Sequence, residues 1–226
     1  MAAAMPRTAP VSLPRRIARR LARWMPALTA AAVATGASAG RPLATDDAAV
    51  TDTGRCQLEA WLDRAGRDRT GTAAVACGWR PGLEAGLDTT LHKPRDPLAA
   101  QVTAGLKWAP EAWRWRGPGG TWQGGLKLSG SLQRSLGGAW MGDALEVTGL
   151  GSLGLTPQVA LHVNAGGIRL HQTGDLAATL SLATAWTPHP SWLMFAEARA
   201  NTRRGVFGGP VLSVGGRWWL QPETFG

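Results

Sequence analysis

Side chains able to act on a substrate are few. There are four histidines, His92, His162, His171 and His189, and two cysteines, Cys56 and Cys77. His162 and Asn164 fall on one face of a strand-like segment. They read either as a proton or cation site or as polar lining. No Cys, Asp or Glu stands at ligand spacing from His162, which favours lining and argues against a metal centre. His162 with Ser152 would supply the two main groups of a lipid hydrolase, yet nothing in the sequence fixes their geometry. The glycine-rich stretch 117–120 lacks the Lys and following helix of a phosphate loop, so it reads as a turn. No catalytic residue, metal or cofactor is expected.

Charged residues on alternating faces are the larger set of candidates. Glu59, Glu84, Asp88, Lys107, Lys127, Glu146, Glu197, Arg199 and Arg217 share the polar faces of strand-like segments with His162 and Asn164. If these faces point into a barrel, all of them line its lumen. The signs are mixed, which suggests paired charges bracing a narrow interior. A strongly ion-selective ring would need one sign to dominate. An interior packed with salt bridges and closed to solutes is the alternative.

The two cysteines give a test of register. A hairpin turning about Gly66-Arg67 puts Cys56 opposite Cys77, Leu58 opposite Val75 and Ala60 opposite Ala73, all on the apolar face. An even cysteine count in an exported chain points the same way, to a disulfide. Two free thiols are the alternative.

These residues are carried by segments of period two, which run from Cys56 to the end of the chain. Ten strands are expected: 56–63, 71–79, 83–91, 100–108, 122–133, 145–155, 159–171, 178–186, 192–199 and 212–220. A change of phase at Gly166-Gly167 reads as a β-bulge. Arg80-Pro81-Gly82, Lys93-Pro94-Arg95-Asp96-Pro97, Arg116-Gly117-Pro118-Gly119-Gly120 and Thr187-Pro188-His189-Pro190 carry turn chemistry. A soluble β-sandwich and a transmembrane β-barrel both fit alternating strands. Three features favour the all-β, antiparallel transmembrane barrel. Apolar faces persist for the ~9–11 residues that cross hydrocarbon at a tilt. The opposite faces carry small and polar side chains, as a wet lumen requires. Trp79, Trp108, Trp122, Trp186, Trp192 and Trp218 stand at strand ends, where interfacial girdles belong.

Composition agrees. Of 226 residues 30 are Gly and 12 Trp, with 44% hydrophobic and only 17% charged, which excludes a helical bundle and disorder. No apolar run in the mature region would span a membrane as a helix. The net charge of +9 comes from 24 basic and 15 acidic residues, and six of the arginines (Arg7, Arg15, Arg16, Arg19, Arg20 and Arg23) precede residue 40 without an acid among them. The remaining chain is nearly balanced, so no nucleic-acid partner is expected. Residues 1–39 read as a signal peptide: a basic region, a short apolar stretch, then Ala37-Ser38-Ala39 with cleavage after Ala39. A polar lead, 40–55, precedes the barrel, 56–226.

The segments Gly40-Arg41-Pro42-Leu43-Ala44-Thr45-Asp46-Asp47-Ala48, Cys56-Gln57-Leu58-Glu59-Ala60-Trp61 and Arg217-Trp218-Trp219-Leu220-Gln221-Pro222 resemble proteobacterial outer-membrane barrels grouped as porins of the meta-pathway of phenol degradation. The resemblance implies passive passage of small, hydrophobic or aromatic molecules across the outer membrane of a Gram-negative bacterium. It also implies outer-membrane lipid and the barrel assembly machinery as partners. A non-conducting structural or lipid-modifying barrel and a soluble periplasmic β-sandwich stand as alternatives. Members of the family continue past the Trp-rich segment and end on an aromatic residue, whereas this chain stops at Thr224-Phe225-Gly226. Closure of the tenth strand on the first is allowed, but truncation from a larger barrel is favoured, because an open edge in lipid leaves unpaired backbone groups.

Overall fold

The computed structural model describes residues 43–65, 68–92, 98–202 and 210–218. Residues 1–42, 66–67, 93–97, 203–209 and 219–226 lie outside the described residues, and with them the expected signal peptide with its cleavage after Ala39 and the expected turn at Gly66-Arg67.

The fold is all-β. Strands β1 (Cys56–Ala65), β2 (Asp68–Arg80), β3 (Leu83–His92), β4 (Leu98–Trp108), β5 (Arg114–Gly117), β6 (Gly120–Ser135), β7 (Trp140–Thr156), β8 (Val159–Leu170), β9 (Leu176–His189), β10 (Trp192–Asn201) and β11 (Val211–Trp218) form one sheet. Every pairing between strands is antiparallel. Each strand pairs with its chain neighbour, except that β4 reaches past the short β5 to pair with β6. Among the described residues no pairing joins β1 to β11.

Alternation decides which way each strand faces. In β6, Trp122, Leu126, Leu128 and Leu132 are exposed, whereas Gln123, Lys127, Ser129 and Ser131 on the other face are half-buried or buried. The same division runs along β3, β4, β7, β9 and β10. The outcome inverts the polarity of a water-soluble domain. Among the described residues, the buried apolar ones are five alanines with Leu150 and Ile168, while Thr72, Glu84, Lys107, Thr148, Asn164 and Glu197 are buried polar groups. Leu128 is 47%, Val147 52% and Leu182 49% exposed in the middle of long strands. The sheet is concave on its polar side, because side chains from β6, β7, β8, β9 and β10 line one cavity of about 210 Å³. A polar concave face inside an apolar convex one is the architecture of a β-barrel wall.

Three expectations are corrected. There are eleven strands, because Arg114–Gly117 pairs with β6 as a short flap, with Trp115 opposite Trp122, where the sequence suggested only a loop. The bulge at Gly166-Gly167 is absent. Thr148, Gly166 and Thr179 lie opposite one another without offset, as do Val147, Gly167 and Ala178. The phase change there is chemical: Ile168 turns inward and Arg169 outward on unbroken backbone. Gly166 is required for another reason, since a Cβ there would strike the carbonyl oxygen of Val147. A bulge does occur in β7 at Asp143, where Ser131 faces Ala144 but Leu132 faces Gly142. That extra residue breaks the alternation and hides the start of β7 at Trp140 from a period-two reading.

The tryptophans lie mainly at one end. Trp79, Trp108, Trp122, Trp186 and Trp192 are exposed at the end of the sheet where β2 meets β3 and β9 meets β10. Turns 81–82, 157–158 and 190–191 at that end are two residues each, and the β4–β6 connection there carries β5, whereas 136–139 and 171–175 at the other end are four and five residues. The side chain of Trp218 lies outside the described residues.

Candidate functional site

The concave face holds most of the expected charged residues. Glu84, Lys107, Asn164 and Glu197 are buried there, and Glu59, Asp88, Lys127, Glu146, His162 and Arg199 are half-buried. The side chain of Arg217 lies outside the described residues. Cross-strand register gathers some of them. Glu84 faces Lys107, which faces Lys127, which faces Thr148. Ser152 faces His162, which faces Ala183, which faces Glu197. Glu59 and Asp88 lie on a third row through Ala74.

An element without regular structure ties these rows together. Residues 43–53, from the polar lead, run across the concave face as a strap. Thr45 is 3% and Asp46 8% exposed, and Ala48 is fully buried. At one end the Ala44 N–H donates to Glu197 Oε2 at 3.4 Å, and the Thr45 N–H and hydroxyl both donate to Glu197 Oε1. In the middle Asp46 Oδ2 meets Lys127 Nζ at 2.6 Å, and the Ala48 N–H donates to Ser152 Oγ at 2.8 Å. Lys107 Nζ donates to the Ala49 carbonyl at 3.1 Å. At the other end the Thr51 N–H and hydroxyl both donate to Glu84 Oε2 at 2.7 Å. Thr53 then bridges to Gly78, and the Gly54 N–H donates to the Gly78 carbonyl at 2.8 Å. Gly78 must be glycine for this approach, since a Cβ would collide with the carbonyl oxygens of Thr51 and Asp52. An irregular segment brings many backbone polar groups into a buried place. Here the wall's side chains, Glu197, Ser152, Lys107 and Glu84, satisfy several of them.

Electrostatics explain the middle of the strap. Lys107 Nζ lies 3.8 Å from Glu84, 3.9 Å from Asp46 and 3.6 Å from Asp47, and its side chain is only 6% exposed. Two lysines directly opposite on neighbouring strands repel. Asp46 lies within ion-pair distance of both, so the strap supplies charge that the wall lacks at that row.

The Ser152–His162 pair does meet, with Oγ 2.9 Å from Nδ1. The Ser152 oxygen also accepts from Ala48, and the residue opposite His162 on β9 is Ala183. Glu197 is engaged by the strap. The arrangement braces the strap, with Ser152 tying Ala48 to His162. Among the described residues no cluster of His, Cys, Asp and Glu could hold a metal ion.

Sequence reasoning missed Thr45, Asp46, Thr51 and Asp143, and singled out Ser152 only as a partner of His162. Asp143, at its bulge, accepts from Gln101 Nε2 at 2.7 Å and from Ser131 Oγ at 2.8 Å. The signal for the strap was the cluster Thr45-Asp46-Asp47 standing ahead of a wall with unbalanced lysines. On the convex side Cys56 lies opposite Cys77 and is bonded to it, with Leu58 opposite Val75 and Ala60 opposite Ala73.

No protein-family model matches the chain, and no curated protein matches it. Among solved structures, the NanC porin in a rhombohedral crystal form is similar at 11% identity, over 73% of this chain and 99% of that one, with a TM-score of 0.39. A likeness of that size fixes neither family nor cargo.

Proposed function

We propose that the protein is an outer-membrane β-barrel of the porin type, exported, folded by the barrel assembly machinery and embedded by its convex face in outer-membrane lipid. The observation that carries this reading is the inverted polarity of the sheet. Leu58, Leu87, Leu128, Val147, Leu182 and Met194 are each at least 45% exposed, while Glu84, Lys107 and Glu197 are about 5% exposed. Contiguous exposed apolar surface on that scale needs lipid or a partner. A soluble β-sandwich would turn those residues inward. The exposed tryptophans support an interfacial girdle, and three two-residue turns at that end are in keeping with the periplasmic end of such barrels.

Passage of small molecules through the interior follows from this reading. The hydrophobic or aromatic solutes implied by the family resemblance rest on that resemblance alone. The concave face favours small polar solutes. The strap supports a second reading, a barrel closed in its resting form and non-conducting until the strap moves.

The test is folding into detergent or lipid vesicles. Heat-modifiable gel mobility and recovery in the outer-membrane fraction are expected. Recovery as a soluble periplasmic protein without detergent would overturn the proposal. Planar-bilayer recordings then separate an open path, with stepwise conductance, from a closed one.

A further inference from the structure

Two lysines meet in the interior, and a carboxylate from outside the sheet lies against them. Lys107 and Lys127 face each other on neighbouring strands, and on the far side of Lys127 the wall offers Thr148, not an acid. Glu84 stays within 3.8 Å of Lys107 as part of the wall. For Lys127 the closest carboxylate among the described ion pairs is Asp46, at 2.6 Å, and it comes from the irregular strap. If charge balance were the whole purpose, an acid in place of Thr148 would achieve it within the sheet. The structure places the counter-charge on a segment joined to the wall through side-chain contacts and a single bridge at Gly78.

A cavity lies beside this carboxylate. Asp46 and Lys127 line the cavity of about 210 Å³ together with Glu146, Asn164 and Arg199. The Asn164 side chain is 93% buried by its 7% exposure, and its Oδ1 has no hydrogen-bond partner. Arg199 Nε is likewise without a hydrogen bond, and lies 3.9 Å from Glu197 Oε2. Glu146 is turned to Thr148, whose hydroxyl donates to Oε1 at 3.0 Å. A buried polar atom without a hydrogen-bond partner, beside an ion pair and an arginine held by its carboxylate only at 3.9 Å, is unusual in a finished interior and characteristic of a place that takes a ligand.

We infer that Lys127, flanked by Lys107, is a binding site for the carboxylate of a small solute, and that Asp46 of the strap occupies it as a tethered competitor. The inference rests on the barrel reading of the concave face but not on conduction. A solute carboxylate replaces Asp46 at Lys127, its remaining polar atoms reach Asn164 and Arg199, and the strap is displaced. Binding and strap release are therefore one equilibrium, and any change that weakens the strap's hold raises the apparent affinity for the solute.

The test uses the full chain folded in detergent, with acetate as probe, acetamide as its uncharged counterpart, and constant ionic strength. The readout is the thermal unfolding midpoint followed by tryptophan fluorescence. In the doubly substituted Asp46→Asn, Asp47→Asn protein, acetate should raise the midpoint saturably, with an apparent affinity about tenfold above that of the unsubstituted protein. Acetamide should do nothing. Adding Lys127→Gln should abolish the response. Gly78→Ala provides a second route, because it pushes the strap off β2 and leaves every charge in place; it should produce the same acetate response. Equal responses in the unsubstituted and strap-weakened proteins, or a response that survives Lys127→Gln, would overturn the inference. Heat-modifiable mobility, measured on the same samples, reports the barrel reading separately.

Discussion

Lys107 has three carboxylates within 4 Å and a side chain almost wholly withdrawn from water. Removing one member of a buried ionic group leaves the others uncompensated, at a cost of about 3–5 kcal/mol. Lys107→Met should therefore lower the heat resistance of the folded form in detergent. Lys107→Arg, which keeps the charge, should retain most of it. The Cys56–Cys77 bond closes a separation of 21 residues. Loops of that length imply about 3 kcal/mol from restriction of the unfolded chain. Cys56→Ala with Cys77→Ala should lower stability by no more than that, because the hairpin pairing remains. Alkylation without reduction should find no free thiol in the exported protein. This pair was legible in the sequence because register is arithmetic: a fixed turn dictates which residues face. Thr45 and Asp46 were not, because a segment without period shows neither which face it presents nor which strand it lies against.

At the scale of elements, the strands were read well where alternation is uninterrupted and poorly where one residue disturbs it. β3, β6 and β10 keep strict alternation and emerge with the expected faces. β7 begins five residues earlier than its pattern suggests because Asp143 is bulged. β5 was missed because Arg-Trp-Arg-Gly alternates charge with bulk over only four residues and reads as part of a glycine-rich turn. The exposed faces make a direct prediction. Leu128 lies midway along β6 and points outward. Leu128→Arg should cost about 2–4 kcal/mol if that face meets the centre of a bilayer, and should reduce the folded fraction in vesicles. Gln133→Lys, on the concave face of the same strand, should leave that fraction unchanged. Equal tolerance at both positions would show that the convex face does not contact lipid.

At the scale of the molecule, the strap makes the concave face a single cooperative unit, since it touches β2, β3, β4, β6, β7 and β10 within eleven residues. Glu197 fixes its far end, holding Ala44 and Thr45 across 152–153 positions of sequence. Glu197→Ala should free that end, which limited proteolysis would detect as faster cleavage within 43–49, while the heat-modifiable wall persists. Which residues the wall presents was readable from period two. What lies against them was not, because that depends on curvature, and curvature leaves no local mark in a sequence. The separation between Thr45 and Glu197 also has a consequence for timing. Contacts that close long loops form late. The strap lies before every strand in the chain, yet the wall that receives its first residues does not exist until β10 has joined the sheet. Docking of the earliest-made part of this segment is therefore among the last events of folding, and until then residues 43–53 are exposed to whatever proteases and chaperones the nascent barrel meets.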